Sequence, residues 1–237
     1  MKERPILFQG AMVRAPLEGG KTQTRRILKP APTSPDFDLK NVTCESGYRY
    51  AIDTSKVRFP EPVRVRWDCP YGQPGDRLWV RETFFAYGRW ETRYSEKKNR
   101  DEWHFVDMTA QCDRVYQYDA DNPDVPLAKG RGVTPGWWKR PAIFMPRAAC
   151  RIQLEIVSVR VERLNDCSAV DATAEGVMPD EVRQISVFGA SADERAEIYR
   201  RAAVAPYERL WESINGADSW AANPWVWVID FCVEVVS

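Results

Sequence analysis

The sequence predicts an α+β fold, a small β-barrel with short flanking helices and long insertions. Three features of the chain predict it. Runs of alternating apolar residues recur from the beginning of the chain to its end, with turn residues between them. The longest run changes phase by one residue, as a β-bulge at a barrel corner does. Two serine-led capping boxes mark the starts of helices in the last third of the chain.

The first elements are a short strand and a short helix. Residues 5–8 are apolar enough for a strand, and residues 10–18 have a helical pattern in which Pro16 predicts a kink or a late start. Gly19 and Gly20 end that helix, because glycine readily adopts the left-handed conformation that follows a helix.

The middle of the chain carries two predicted insertions within one domain spanning residues 1–237. Frequent prolines predict an irregular insertion at about 30–70, with a hairpin around residues 48–57. A strand follows at residues 77–84. Charged and aromatic residues at about 86–135 then predict an inserted hairpin rather than a second core, with strands at 103–106 and 114–118.

The last third of the chain contains the phase-shifted strand, two helices and a closing strand. In the strand at residues 150–164, Ile152, Leu154 and Ile156 alternate, and Val157, Val159 and Val161 continue out of phase. A helix begins at Ser168 and ends near Glu175. A second helix begins at Ser191, breaks at Pro206 and resumes to Asn215. The final strand places Trp225, Trp227, Ile229, Phe231, Val233 and Val235 on one face.

Composition narrows the function classes. Lys and Arg total 34 and Asp and Glu total 34, so any nucleic-acid binding has to use a local basic patch. The six cysteines form no CxxC pair and His104 is the single histidine, so we expect no metal, no cofactor and a structural role for His104. Apolar runs are too short to span a bilayer. We therefore expect a cytoplasmic protein with reduced thiols and no membrane partner.

The most polar segment of the chain runs from Gly19 to Arg26. It joins two glycines to a lysine, two threonines, a glutamine and two arginines. Glycine permits close approach of the backbone to a ligand, and lysine and arginine donate to phosphate, carboxylate or base edges. A P-loop is excluded, because Ala15 stands where that motif needs its first glycine. A solvated basic turn is the alternative to a binding segment.

Several segments together resemble the ASCH family, whose domain is a small barrel of the PUA-like superfamily. The likeness is strongest to ASCH proteins carried by bacteriophages and prophages. It extends over both ends and the middle of the chain and leaves the insertions unexplained. The matching segments are residues 5–8, Met12-Val13-Arg14-Ala15, residues 20–26, residues 74–83, Met145-Pro146-Arg147 and residues 223–228.

The resemblance implies an activity and a set of site residues. Some ASCH enzymes are similar to amidohydrolases that act on N4-acylated cytidine through a lysine, a threonine three residues later and a glutamate. In this sequence those residues fall on Lys21, Thr24 and Glu175. We expect substrate contacts from Thr22, Arg25, Arg26, Trp79, Arg81, Glu82, Met145 and Arg147.

The chemistry of the three predicted catalytic residues is consistent with this activity under one condition. Lys21 can accept the Thr24 proton if burial or nearby cations lower its pKa. A helix C-terminus would raise the pKa of Glu175 and suit a proton donor. However, residues three apart in a regular strand point to opposite faces, so Lys21 and Thr24 converge only if the glycine pair leads into a turn.

Other functions remain open from the sequence. A non-catalytic module for RNA or a modified base would use a basic groove, with nucleosides or single-stranded RNA as partners and aromatic rings for stacking. There are two further alternatives. The chain could be a weak ribonuclease, or it could be a phage protein that binds an unknown protein partner through residues 86–135. The groove residues would be Lys21, Arg25, Arg26, Arg81, Arg140 and Arg147, with Trp79, Trp138 or Trp225 as stacking rings.

Overall fold

The computed structural model describes residues 1–29, 43–45, 48–53, 63–130, 132–177 and 191–235. These residues form an α+β fold, as predicted. The helices are α1 Gly10–Leu17, α2 Ala169–Ala174 and α3 Ala192–Asn215. The strands are β1 Glu3–Leu7, β2 Gln23–Ile27, β3 Thr43–Glu45, β4 Tyr48–Asp53, β5 Val63–Trp67, β6 Arg77–Arg81, β7 Phe84–Ser95, β8 Arg100–Asp107, β9 Gln117–Tyr118, β10 Gly136–Arg140, β11 Ile152–Arg163 and β12 Trp225–Val235.

Within the described ranges the strands pair in three sheets. The largest has the order β1-β6-β11-β12-β2, and the second joins β10, β7 and β8, with β9 also on β7. The third has the order β3-β4-β5. The five-stranded sheet is an open path that ends at β1 and β2, so the described strands do not close into the predicted barrel.

The described chain folds as two compact units. Unit 1 contains residues 1–4, 15–78 and 153–235, and unit 2 contains residues 5–14 and 79–152. The single domain predicted over residues 1–237 stays a prediction. No helix among the described residues is both long enough and apolar enough to cross a bilayer.

The core of unit 1 lies where α2 and α3 pack on β12. Val226 and Val228 are both fully buried and alternate with Trp227, which is also buried, so β12 is covered on both faces. A strand covered on one face only would expose every second residue. The buried members of this core are Leu164, Cys167, Ala172, Val204, Tyr207, Trp211, Val226 and Val228.

The predicted capping box of α2 is confirmed. The Ser168 hydroxyl accepts from the Asp171 amide at 3.1 Å, and the Ser168 amide donates to the Asp171 carboxylate at 3.1 Å. Both groups would otherwise be unsatisfied at the first turn. The helix then ends at Ala174, and Glu175 is its C-cap residue.

The predicted break of the second helix at Pro206 is wrong, because α3 continues through it to Asn215. Val204, Tyr207 and Trp211 lie three and four residues apart, on one helix face that spans the proline. All three are buried in the core of unit 1. Their packing offsets the helical hydrogen bond that the proline cannot donate.

Unit 2 is organised by the β7–β8 hairpin. Gly88 of β7 allows the two strands to meet, since a Cβ there would lie 2.1 Å from the Val106 carbonyl oxygen. Phe84 and Ala86 of β7 pack with Met145, Ala149 and Cys150 as a buried cluster. Unit 2 therefore has an apolar core of its own. The prediction of a hairpin insertion at about 86–135 did not include such a core.

The segment at 30–70 contains regular structure. Residues 30–42, 46–47 and 54–62 lie outside the described residues, and so does the end of the hairpin predicted around 48–57. The described parts form β3, β4 and β5, which pair as an antiparallel sheet. This part of the segment is therefore not irregular. In β11 the buried side changes between Ile156 and Val159, at the predicted phase shift.

Candidate active site

The polar segment after α1 is held against the end of α2. Gly19 adopts a φ of 74°, and the amides of Gly20 and Lys21 donate to the Ala15 carbonyl at 2.8 and 3.2 Å. The Thr22 amide then donates to the Ala174 carbonyl at 2.8 Å. The glycine turn therefore directs the chain past α2 and into β2.

Lys21 and Glu175 form a buried ion pair. The Lys21 Nζ lies 2.6 Å from Glu175 Oε2 and 2.7 Å from the Glu175 carbonyl oxygen. Lys21 is 0% exposed and Glu175 is 2% exposed. Gly176 makes this approach possible, because its φ is 83° and a Cβ there would lie 2.9 Å from Lys21 Cβ.

Two further groups hold the Glu175 carboxylate. Tyr207 of α3 donates its hydroxyl to Glu175 Oε1 at 3.1 Å, and Arg25 Nη1 lies 3.5 Å from the same oxygen. Sequence reasoning missed Tyr207. Its signal was weak, because a tyrosine on the apolar face of a helix is more often a core residue than a hydrogen-bond donor to a site.

Burial controls the protonation of this cluster. Burial lowers the pKa of Lys21 below its ordinary value, against the opposing attraction of Glu175. Burial and the neighbouring Glu175 raise the pKa of Tyr207 well above its ordinary value, so its hydroxyl stays a donor. Burial alone would lower the pKa of Arg25, but the carboxylates of Glu175 and Asp171 raise it, and Arg25 stays a cation.

A polar network continues from Arg25 toward the exposed side of unit 1. Arg25 donates to the Gln23 side chain and lies 3.4 Å from Asp171. Gln23 donates to Asp171 at 3.1 Å and to Asp230 at 2.7 Å. Arg160 also contacts both carboxylates, at 2.9 and 2.6 Å. Arg25, predicted as a substrate contact, is therefore enclosed by side chains of the protein.

Thr24 lies on the other face of β2. In the β2–β12 register Arg25 is opposite Val228 and Thr24 is opposite Ile229. Val228 belongs to the core under α2 and α3, so Arg25 faces that core and Thr24 faces away from it. Thr24 is 0% exposed, and its hydroxyl has no hydrogen-bond partner among the described residues. The structure thus brings Lys21 and Glu175 together and leaves Thr24 apart from them.

The other predicted substrate contacts are divided between the units. In unit 1, Thr22 is exposed and Arg26 is half-buried. In unit 2, the Arg81 and Arg147 guanidiniums lie 5.3 and 6.0 Å from the Trp79 ring. These three side chains form a half-buried cluster with two cations on one aromatic ring.

Glu82 and Met145 are buried inside unit 2. The Glu82 amide donates to Met145 Sδ at 3.2 Å. Arg151 clamps the Glu82 carboxylate with two hydrogen bonds, at 2.9 and 3.0 Å. Burial raises the pKa of Glu82, and Arg151 opposes that rise. Both residues are engaged within the protein.

The residues predicted to form a basic surface groove do not all lie at the surface. Lys21 and Arg25 are buried in unit 1 and line no surface. Trp138 donates to the Gly88 carbonyl at 3.0 Å, and the Trp225 ring is covered by Arg163 at 4.3 Å. Within the part of the chain that the structure describes, no group of His, Cys, Asp and Glu side chains is arranged to hold a metal ion.

Comparison of the chain with family models, with curated proteins and with solved structures gives no match.

Proposed function

We propose that the chain is an ASCH protein of the PUA-like superfamily that hydrolyses the exocyclic amide of an N4-acylated cytidine, with Lys21 and Glu175 as its acid–base pair. One observation carries the proposal. Lys21 and Glu175, two of the three residues that the resemblance assigns to catalysis, are 154 positions apart in sequence and lie 2.6 Å apart in a buried pair. Such pairs are uncommon in cores, since each buried charge has a large desolvation cost.

The pair supplies both a base and an acid. Transfer of one proton from Lys21 Nζ to Glu175 Oε2 leaves a neutral amine and a carboxylic acid. The amine then takes the Thr24 proton as Thr24 Oγ1 attacks the acyl carbon, and the acid protonates the departing N4 amine. Water hydrolyses the resulting ester, which releases the carboxylic acid product and regenerates Thr24. The lowered pKa of Lys21 favours the neutral amine.

The proposal requires a change of conformation at residues 21–24. Thr24 faces away from Lys21 in the structure, and all three catalytic candidates are buried. Gly19 and Gly20 precede the segment and give its backbone a wide range of conformations. Binding of a nucleoside would have to unpair Thr24 from Ile229 of β12 to turn its side chain toward Lys21. The Thr24 hydroxyl itself has no hydrogen bond to a described residue to lose.

The test is release of acetate from N4-acetylcytidine by the purified chain. Lys21→Arg keeps the charge but cannot act as a base, and Glu175→Gln keeps the shape but cannot donate the proton, so each is expected to reduce turnover at least about 100-fold. Thr24→Ala is expected to abolish it. Lys98→Ala, which removes an exposed lysine paired with Glu102, is the control and keeps full activity.

One result would overturn the activity. Wild-type protein that turns over no acylated nucleoside or nucleotide is not this enzyme. If such protein still binds the nucleoside, the chain is a binding module, which is the alternative that the sequence left open.

A further inference from the structure

Unit 2 contains an open cavity at the β7–β8 hairpin. None of the residues that line this cavity belongs to the proposed active site. The cavity has a volume of about 900 Å³, within the range that holds a nucleotide-sized ligand. Trp90, Trp103, Phe105 and Phe144 supply aromatic surface to it. Phe144 is 59% exposed and Trp103 is 42% exposed, so two of these rings are accessible from solvent.

Arg140 of β10 is the central cation of this cavity. Its guanidinium carbon lies 4.5 Å from the Phe105 ring centre, 4.7 Å from Phe144 and 4.9 Å from Trp90. The three rings fix the position of the guanidinium through cation–π contacts. They leave its N–H groups without an acceptor, since Arg140 pairs with Phe84 through its backbone and its guanidinium makes no hydrogen bond or ion pair with any residue that the structure describes.

The four other charged side chains that line the cavity balance in number, Lys98 and Arg100 against Asp101 and Glu102. Lys98 and Arg100 both pair with Glu102, at 2.7 and 3.3 Å. Asp107, which attracts Arg140 over a longer distance, already accepts from Thr109 and Tyr116. A fixed guanidinium with free donors beside accessible aromatic rings suits a ligand that is both flat and anionic.

We propose that this cavity binds a nucleoside phosphate, with the phosphate on Arg140 and the base against Phe144. The guanidinium offers parallel N–H groups to phosphate oxygens, and the rings offer stacking surface that accepts any base. The ligand is a free nucleotide or one unit of a single strand, since both present the same chemistry. The site does not depend on the activity proposed for Lys21.

Calorimetric titration with adenosine 5′-monophosphate, adenosine and a single-stranded oligoadenylate tests the site. Wild-type protein is expected to bind the monophosphate about tenfold or more tightly than adenosine, because the phosphate contact is charge-assisted. Arg140→Gln should remove that difference. Arg93→Gln, which removes an exposed cation that pairs with Glu91 and does not line the cavity, should change affinity by less than about twofold.

A second variant keeps the test valid if Arg140→Gln fails to fold. Phe144→Leu alters an exposed ring and should weaken the monophosphate and adenosine alike. Tighter binding of the oligoadenylate than of the monophosphate assigns the site to a strand, and equal binding assigns it to a free nucleotide. The site is overturned if wild-type protein does not prefer the monophosphate, or if Phe144→Leu leaves both affinities unchanged. It is also overturned if Lys21→Arg, rather than Arg140→Gln, removes the preference.

Discussion

Each unit contains a buried glutamate held by a cation, and the two pairs are built differently. Glu175 in unit 1 is 2% exposed and contacts the single ammonium of Lys21. Glu82 in unit 2 is 1% exposed and is clamped by two donors of Arg151. Arg151 in turn binds Asp121 and lies 3.9 Å from the Tyr118 ring.

The difference separates a pair that can exchange a proton from one that cannot. Arginine stays charged at any accessible pH and its planar group fixes a carboxylate in place. Burial lowers the pKa of a lysine and so makes its proton easier to transfer, and burial acts in this direction on Lys21. We therefore interpret the Glu82 pair as a structural clamp and the Glu175 pair as the one suited to chemistry.

The largest expected effect comes from removing Lys21. Lys21→Met leaves the buried Glu175 carboxylate with Arg25 and Tyr207 as its side-chain partners among the described residues, so we expect a loss of about 3 kcal/mol in the free energy of unfolding. The double variant Lys21→Met/Glu175→Leu should recover most of the loss, because no charge is left unpaired. Urea unfolding measures both. A loss under about 1 kcal/mol in the single variant would mean that Glu175 is hydrated rather than buried.

We expect the pairing of Arg151 with Glu82 in unit 2 to weaken even when the positive charge at position 151 is kept. Arg151→Lys replaces two fixed donors by one ammonium, so we expect a loss of about 1.5–3 kcal/mol in the free energy of unfolding. The control is Arg89→Lys, since Arg89 pairs with Glu91 at 2.6 Å on a more exposed part of β7. That change should cost less than about 0.5 kcal/mol. Equal losses would show that burial does not distinguish the two arginines.

We expect the free energy of unfolding to depend on pH through the protonation of Asp171, which belongs to the network around Arg25. Burial alone would raise the pKa of Asp171, but hydrogen bonds from Ser168 and Gln23 and the charge of Arg25 lower it from 3.8 to about 2. A carboxylate whose pKa is lowered on folding stabilises the protein above the ordinary pKa and loses that contribution as the pH falls. The contribution is at most about 2 kcal/mol.

Comparison of wild-type protein with Asp171→Asn measures this contribution. The stability advantage of the wild type should be constant above about pH 5 and shrink as the pH falls from 3.8 toward 2. Glu155→Gln, an exposed change on β11, should show no such trend. An advantage that grows on acidification contradicts the assignment.

The smallest expected effect concerns two threonines, one in each unit and both 0% exposed. The Thr24 hydroxyl has no hydrogen-bond partner among the described residues, whereas the Thr109 hydroxyl donates to Asp107 at 2.7 Å and accepts from the Tyr87 amide at 2.9 Å. Thr24→Val should therefore change the free energy of unfolding by less than about 0.5 kcal/mol, and Thr109→Val should lower it by about 1–3 kcal/mol. A large loss for Thr24→Val would place a partner on that hydroxyl.

The sequence predicted best those features whose determinants lie close together in the chain. The start of α2 follows from Ser168 and Asp171, three residues apart, and its end is marked by Gly176. The glycine turn before Lys21 is equally local. The association of Lys21 with Glu175 is not local, and only the resemblance to a family predicted it.

Features that depend on distant packing were not predictable. The five-stranded sheet ends at β1 and β2 and does not close among the described strands. Closure could not be predicted because it depends on pairing between strands far apart in sequence. The continuity of α3 through Pro206 depends on what its buried face contacts. The enclosure of Arg25 depends on Asp171, Glu175 and Tyr207, which arrive from α2 and α3. No pattern within residues 19–26 distinguishes an enclosed arginine from an exposed one.

Lys21 binds Glu175 through the main chain as well as through the side chain, with the carbonyl oxygen at 2.7 Å. The ammonium thereby serves as a C-terminal cap for α2. A substitution at position 175 can delete the carboxylate but not the carbonyl, so the amine keeps one anchor in every such variant. The position of the Lys21 ammonium is therefore set by the end of α2. The side chain at position 175 determines only which side-chain group the ammonium contacts there.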